Sequence, residues 1–522
     1  MLVSLAELVA LTLGLAARQP VEPVRTMGEE QIEFLAGCAA NPENFAAERA
    51  GWAIIDARGM TGADSLAAAL RAAPAGKRVV IYRGEFREAD MRPIAARLAG
   101  GCLVDTILDG SNWEATAIPA LRLVRVSLRE AKAARVVWLG LSTYGANLEA
   151  TDFSGATLTD MRFVSAYQGA SFGDVSFRGA NLTGASFACG ITVDEWCINA
   201  TPDLTGADLT GADISSLGLW DANMNAGAVL DDTIVSPRSL ENLGAARIAG
   251  PLRLATYFTP TWPDPETTPV SVIVSADEAR SLIDATRTAS AEDDRASFDC
   301  AKAASAVETL ICGEYASGLR RLDRELAAVW GRLQAAGKGD LADQRRWLRA
   351  RGDCGEDQSC LADRYEARIA FLHGKLGPGI ALSPGQSVTY HSDLLPLPEA
   401  MRSGPLYERI LPVLIDMSYQ RVTLTGNADG SIAAEGDAVG GNAHMCGLNS
   451  PTTRFDPATG WWTAISDIDG AAIPLFRVDG RRIHFRYSGN LGNTPVEATD
   501  VISCGARAGF DSGIDLSLQQ DP

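Results

Sequence analysis

The sequence predicts a multi-domain protein, mainly β with α. A β-solenoid leads into a small cysteine-stapled α-helical hairpin module and then a C-terminal antiparallel β sandwich or barrel. Three observations predict this. Apolar residues recur every five positions through much of the first half, four closely spaced cysteines lie among helical runs between 296 and 375, and short alternating strands separated by Asp-Gly-like turns follow from 376. At 522 residues the chain exceeds what one hydrophobic core holds, in keeping with several units of roughly 150 residues each.

Charge narrows the partners. The formal net charge is -19 with a pI near 4.7. The acidic excess sits at the two ends: residues 1–295 carry 37 acids and 24 bases and 377–522 carry 16 and 9, whereas 296–376 carry 12 and 13. Such a surface repels nucleic acid and anionic lipid. No direct nucleic-acid binding is expected, and a basic protein is the favoured partner.

The first element, residues 1–17, holds an apolar run from Val3 to Ala17 that ends in small residues, which fits a signal peptide. No Lys or Arg precedes the run and Glu7 interrupts it, so a cytosolic amphipathic start is the alternative. No later segment has the roughly 18 uninterrupted apolar residues of a membrane span. Residues 18–102 mix helical segments with the strand KRVVIYRG and read as an α/β region capping the solenoid.

Stepping in fives from Leu103 to Phe163 meets thirteen positions, twelve of them apolar, against 46% hydrophobic residues overall. The register includes Leu148, Phe153, Leu158 and Phe163, resumes at Phe172, Phe177, Leu182 and Phe187, and returns at Leu204, Leu209 and Ile214. These are the expected solenoid core. Small residues such as Ala146, Ala156 and Ala180 precede many centres by two, and Asn or Asp often precedes by one, where it points outward to hydrogen-bond the turn. Fixed-period self-similarity of this kind marks a repeat architecture. The solenoid is expected over 103–235, with its clearest repeats at 145–224.

GANLEATDFSGATL, GANLTGASF and LTGADLTGADI resemble the pentapeptide-repeat family. That resemblance implies a right-handed quadrilateral β-helix and implies no particular activity. Between Phe187 and Leu204 the repeat is broken by ACGITVDEWCINATPD, whose base Cys189 and Cys197 could staple; Glu195 and Trp196 at its tip are candidate partner contacts. Residues 236–295 then supply a capping helix, SPRSLENLGAARIAG, and a stiff Pro-rich linker.

The helical module spans 296–375. Ser305 and Glu308 have capping-box spacing, and Leu319, Leu322, Leu326, Val329, Trp330 and Leu333 follow helical periodicity. A second run from Leu341 to Cys354 and a third from Cys360 complete it. Cys300, Cys312, Cys354 and Cys360 allow three connectivities, and hairpin geometry favours joining the first two to the last two. FDCAKAASAVETLIC, LRRLDRELAAVW, DQRRWLRARGDC and CLADRYEARI, in that order, resemble the LprI-type lysozyme inhibitor family of bacterial envelopes. Phe298, Glu308, Leu322, Asp323, Trp347, Tyr365 and Arg368 fall at that family's recurring positions and are read as structural. The resemblance implies disulfides and export.

Residues 376–522 read as the antiparallel β domain, similar to those fused behind LprI-type modules. Cys446 and Cys504 are the natural bridge there, and Cys38 with Cys102 the widest pair upstream. His444 and Ser488, on Gly- and Asn-rich loops, are further candidate partner contacts. With four histidines in all and no Cys-x-x-Cys, no metal or cofactor is expected. No nucleophile elbow, zinc helix, P-loop or dinucleotide fingerprint is present. The expectation is an exported, periplasmic or secreted, non-enzymatic binding protein whose partner is a basic c-type lysozyme or another cell-wall hydrolase. The alternative is an acidic pentapeptide-repeat scaffold, or a DNA-mimicking topoisomerase-type inhibitor, acting in the cytosol.

Overall fold

The computed structural model describes residues 35, 37–39, 45–60, 62–165, 172–189, 202–217, 219, 225–255, 270–392, 395–416, 420–439, 445–466, 470–479, 482–487, 494–505, 509–510 and 516–519. The expected signal peptide, the loop carrying Cys197, Glu195 and Trp196, the Pro-rich linker at 259–269, His444 and Ser488 lie outside them.

Seven strands stack in sequence order as one parallel sheet: β1 (Trp52–Asp56), β2 (Arg78–Tyr82), β3 (Cys102–Val104), β4 (Arg122–Val124), β5 (Ser142–Tyr144), β6 (Arg162–Ser165) and β7 (Ser186–Cys189). Leu103 pairs with Leu123, then Thr143, then Phe163, a step of twenty residues. Three further sides pair through single bridges, as in Ile107–Ser127–Asn147, Asn112–Lys132–Asp152 and Ala117–Val137–Thr157. Twenty residues and four sides give five residues per side, so the repeat is a four-sided solenoid built from pentapeptides.

The corners explain the period. From 110 to 160 every fifth residue has positive φ: Gly110, Ala115, Ala120, Arg125, Glu130, Arg135, Gly140, Gly145, Ala150, Gly155 and Asp160, all between +52° and +66°. One left-handed residue per side turns an extended segment through a corner, which glycine tolerates freely and other residues adopt at a cost. The side's centre points inward, as does the residue two before it. Leu148, Phe153, Leu158, Phe163, Phe172, Phe177, Leu182, Phe187, Leu204, Leu209 and Ile214 are all buried in one core, with Ala146, Ala156 and Ala180 beside them. The residue just before the centre faces out and ties the turn: Asn147 accepts from the Glu149 amide at 3.0 Å, Asp152 from Ser154 at 2.9 Å and Asp208 from Thr210 at 3.0 Å.

The coils begin at β2 rather than at 103. Phe86 and Met91 occupy the inward positions below Leu108 and Trp113, since Glu85 pairs with Ile107 and Asp90 with Asn112. A 3-10 turn at Ala95–Leu98 makes this coil longer: Ile81 pairs with Leu103, twenty-two residues on. Stepping backward in fives therefore misses it. The outer face of the first strands is covered: Leu35, Cys38, Phe45 and Trp52 pack on Val80, Tyr82, Cys102, Val104 and Val124, and Cys38 is bonded to Cys102.

At the other end β8 (Ile234–Val235), β9 (Leu252–Ala255) and β10 (Ser271–Val274) form a three-stranded sheet. The expected capping helix is a 3-10 helix, Pro237–Leu243. A longer helix, Ala276–Asp293, opens with a Ser275–Glu278 capping box and adds Ala279, Leu282 and Ile283 to the solenoid core.

The helical module comprises Ala306–Ile311, Ser317–Ala335, Leu341–Ala350 and Gln358–Leu376. Its disulfides correct the favoured pairing. Cys300 joins Cys312 and Cys354 joins Cys360, with Cα separations of 5.7 and 5.6 Å. Each bond closes a short turn because the chain folds back within twelve and six residues. Between the long helices the space is filled by Leu322, Leu326, Tyr365 and Ile369.

The C-terminal domain is a single antiparallel sheet of nine strands, β11 (Ser387–Ser392), β12 (Gln420–Gly426), β13 (Ile432–Val439), β14 (Met445–Asp456), β15 (Trp461–Ile465), β16 (Ala472–Asp479), β17 (Arg482–Phe485), β18 (Ile502–Cys504) and β19 (Leu516–Gln519). The order is β13-β12-β11-β19-β17-β16-β15-β14-β18, and β13 also pairs with β14. That last pairing closes the sheet into a barrel, leaving β18 as an added strand bonded through Cys446–Cys504. Between β11 and β12 the chain leaves the barrel. Leu395, Leu397, Ile410 and Leu414, the last two on helix Pro405–Asp416, join the solenoid core instead of the barrel's own.

Candidate functional site

The helical-module residues expected to be structural point inward. Asp323, on helix Ser317–Ala335, is buried; it accepts from the Tyr365 hydroxyl at 2.9 Å and the Ser297 amide at 2.8 Å. Arg351 donates to Tyr365 and lies 3.8 Å from Asp323. Burial, with Asp323 next, pushes the Tyr365 hydroxyl far above its ordinary range, so it stays a donor. Arg368 donates to Gln344 at 3.1 and 2.7 Å and pairs with Asp343 at 2.8 Å. Trp347 meets Tyr365 edge-on at 5.2 Å. Glu308 caps its helix, and the amides of Ala304 and Ser305 hold its carboxyl below the ordinary range. Phe298 packs on the module core. Every one of these groups is engaged in holding the module's helices together.

Further charges fasten the module on both sides. Arg320 donates to Asp294 at 2.7 Å, just past the solenoid's capping helix, and to the Gly313 carbonyl at 2.6 Å. Toward the barrel, Glu325 pairs with Arg477, and Arg332 donates to Asp479 at 2.6 Å. His484 Nδ1 lies 3.8 Å from Glu325 and His373 Nε2 4.0 Å from Asp479. The barrel's excursion helix returns to the capping helix through Arg409–Glu278 at 2.7 Å. Arg409 and the Ser275 amide pull the Glu278 carboxyl down to about 2. Solenoid cap, helical module and barrel thus close a ring of contacts.

Of the candidate partner contacts, Glu195, Trp196, His444 and Ser488 lie outside the described residues. The described surface offers three regions instead. The first is the solenoid flank, where several acids are matched by arginines: Arg87–Asp109 at 2.5 Å, Arg125–Asp105 at 2.9 Å, Arg129–Glu149 at 3.2 Å and Arg178–Asp203 at 2.9 Å. The second is an open groove of about 420 Å³ along the capping helix, lined by Asp284, Arg287, Thr288, Glu292 and Arg295. The third is the outer face of helix Leu341–Ala350, where Leu341 and Leu348, 51% and 41% exposed, share one side with Arg345 and Arg349. The signal for this face was legible in DQRRWLRA, although nothing in the sequence distinguished these arginines from paired ones. The junction charges Glu325, Arg332, Arg477, Asp479 and His484 were not legible, because the barrel strands follow the helices by about 150 residues.

Among the described residues no cluster of His, Cys, Asp and Glu is arranged to hold a metal ion. None of the described helices is long and apolar enough to cross a membrane. No protein-family model matches the sequence, and no curated protein matches it. Among solved structures the chain is similar to full-length QnrB1, a plasmid-mediated fluoroquinolone resistance protein, at 17% identity over 30-odd per cent of this chain (32%) and 83% of that one, TM-score 0.14. It is also similar to HetL, a pentapeptide repeat protein involved in heterocyst differentiation regulation from the cyanobacterium Nostoc sp. strain PCC 7120, at 20% identity over 36% and 90%, TM-score 0.12. A pentapeptide repeat protein of the Arabidopsis thaliana thylakoid lumen matches at 18% identity over 24% and 77%, TM-score 0.12.

Proposed function

We propose that this chain is an exported envelope protein that acts by binding, and that it protects the cell wall by occluding the cleft of a c-type lysozyme or related hydrolase. The observation that carries the reading is the cysteine chemistry. Four disulfides, Cys38–Cys102, Cys300–Cys312, Cys354–Cys360 and Cys446–Cys504, brace the cap, the helical module and the barrel alike. Bonds in every module suit an oxidising compartment and are rare in a reducing cytosol. The helical module supplies the functional half of the reading through its resemblance to LprI-type inhibitors.

The solenoid serves as a rigid acidic spacer in this reading. The arginines paired with Asp105, Asp109, Glu149 and Asp203 interrupt the carboxylate rows that DNA mimicry would need. Cell fractionation with thiol labelling tests the location: an extracytoplasmic pool with unreactive cysteines is expected, and a reduced cytosolic pool would overturn export. Cell-wall lysis by c-type lysozyme in the presence of the purified oxidised protein tests the activity. Slowed lysis and a complex at micromolar protein are expected; undiminished lysis with no complex would overturn the inhibitor reading.

A further inference from the structure

We infer that the outer face of helix Leu341–Ala350, formed by Leu341, Arg345, Leu348 and Arg349, is the docking surface, and that it presents two guanidinium groups to the carboxylate pair of a hydrolase cleft. The inference rests on the inhibitor reading and assigns it a surface.

The argument starts from how the module uses arginine. Eight of its arginines are committed: Arg320, Arg321, Arg324, Arg332, Arg346, Arg351, Arg364 and Arg368 each bond a carboxylate, a carbonyl or a neighbouring side chain. Among the described residues, Arg345 and Arg349 alone in this module have no such partner. They sit four apart on one helix face, an arrangement of like charges that slightly destabilises a helix. Leu341 and Leu348 flank them, 51% and 41% exposed, so the face also leaves apolar area in water. Among the described residues no carboxylate is bonded to either arginine, and both leucines remain exposed.

A partner that supplies carboxylates and covers the leucines offsets both. Guanidinium groups bind carboxylates through paired hydrogen bonds, strengthened when water is excluded. Residues four apart on a helix hold their β-carbons about 5–6 Å apart, comparable with the about 5–9.5 Å between the carboxyl groups of glycosidase clefts. The committed core of the module, Asp323, Tyr365 and Arg368, would then fix the helix that carries the contact without touching the partner.

The test uses the full-length oxidised protein and a c-type lysozyme, with binding measured by titration calorimetry and competed with a chito-oligosaccharide that fills the cleft. The unaltered protein is expected to bind and the sugar to displace it. Arg345→Glu with Arg349→Glu is expected to weaken binding by about a hundredfold, and Leu348→Ala by about tenfold, with unchanged circular dichroism and no free thiols. Binding of the double variant within twofold of the parent would overturn this surface while leaving the inhibitor reading intact; failure of the sugar to compete would overturn cleft occlusion and this surface with it. No binding by the parent would overturn both.

Discussion

In the solenoid the polar groups taken out of water are neutral, mostly hydroxyls and indoles; at the junction between the helical module and the barrel they include charges. Ser111 and Thr116 are buried in the coils and each donates to a main-chain carbonyl, of Leu108 and Trp113, at 2.5 and 2.7 Å. The same hydroxyls accept from the indoles of Trp113 and Trp138 at 2.7 and 3.1 Å. At the junction Glu325, Arg477, His484, Arg332, Asp479 and His373 lie together, Arg477 and His373 at 5% and 2% exposure. A repeated wall can use a neutral core because each coil rests on the next, and even a hydroxyl without a hydrogen bond there, such as that of Thr143, leaves no charge uncompensated. Two unlike domains meet once, and charge pairs fix their register there at the risk of a large loss if one partner goes.

The largest test removes one of those partners. Arg477→Met leaves Glu325 buried opposite a neutral side chain, and a loss of about 3–5 kcal/mol is expected in chemical denaturation of the barrel and module. Adding Glu325→Leu should restore much of it, since an apolar pair of similar volume is tolerated where a buried carboxylate that has lost its shortest ion pair is not. If the double variant recovers nothing relative to Arg477→Met, the carboxylate left behind carries no penalty and the contrast with the solenoid fails.

Acid probes the same junction without mutation. Burial, then Arg477, Arg332 and His484, holds the His373 imidazole down at about 2, against 6.5 ordinarily. Because the folded state binds this proton more weakly than the unfolded chain, the neutral imidazole's contribution is intact above about pH 6.5 and is lost progressively as pH falls toward 2. By pH 4.5 the loss is on the order of 3 kcal/mol. Stability measured by denaturant between pH 7.5 and 4.5 should fall along that slope, and His373→Gln should flatten it. The solenoid, whose core holds no ionisable group at these positions, should keep its signal over the same range.

Within the solenoid the fit is tested by overfilling. Ala133 stacks between Trp113 and Phe153, as the Asn112–Lys132–Asp152 bridges require, and Trp138 reaches both aromatic rings at 5.4 and 6.0 Å. Ala133→Leu should cost about 2 kcal/mol by displacing those rings. Thr116→Val keeps the shape and removes the acceptor of the Trp138 indole, so about 1–2 kcal/mol is expected, with a shift in tryptophan fluorescence. An unchanged midpoint for either would mean that the early coils are less tightly packed than their burial implies.

What was legible in the sequence follows the same division. The inward centres from Leu103 to Ile214 repeat at a fixed interval, and local interactions enforce it, so Leu148, Phe153 and Leu158 could be placed as core before any coordinates. The helical boundaries were legible for the same reason, as Ser305 and Glu308 cap locally. The pairing of Cys300 with Cys312 depended on where a six-residue helix turned, and the return of Ile410 and Leu414 to the solenoid core depended on a contact far along the chain. Ile410 and Leu414 sit at ordinary helical spacing, which says that a face is buried and not against what.

The finest distinction lies at the corners, and it separates the coils from one another. Ala120 and Gly140 occupy equivalent corners one coil apart: the Ala120 amide bonds Leu139 and the Gly140 amide bonds Thr159. Their φ values are 54° and 63°. A β-carbon added at Gly140 would meet nothing within 4 Å, so the difference between the two residues there is conformational rather than steric crowding. Glycine adopts this region freely but loses more freedom on folding, and the two effects oppose each other. The left-handed penalty on alanine is the larger. Ala120→Gly is therefore expected to stabilise the solenoid by about 0.5–1 kcal/mol and Gly140→Ala to destabilise it by a similar amount. Equal and opposite shifts in denaturation midpoint would show that the corner residue, rather than the small residue two before each centre, is the feature common to coils that match the A-(N/D)-L pattern and coils that do not.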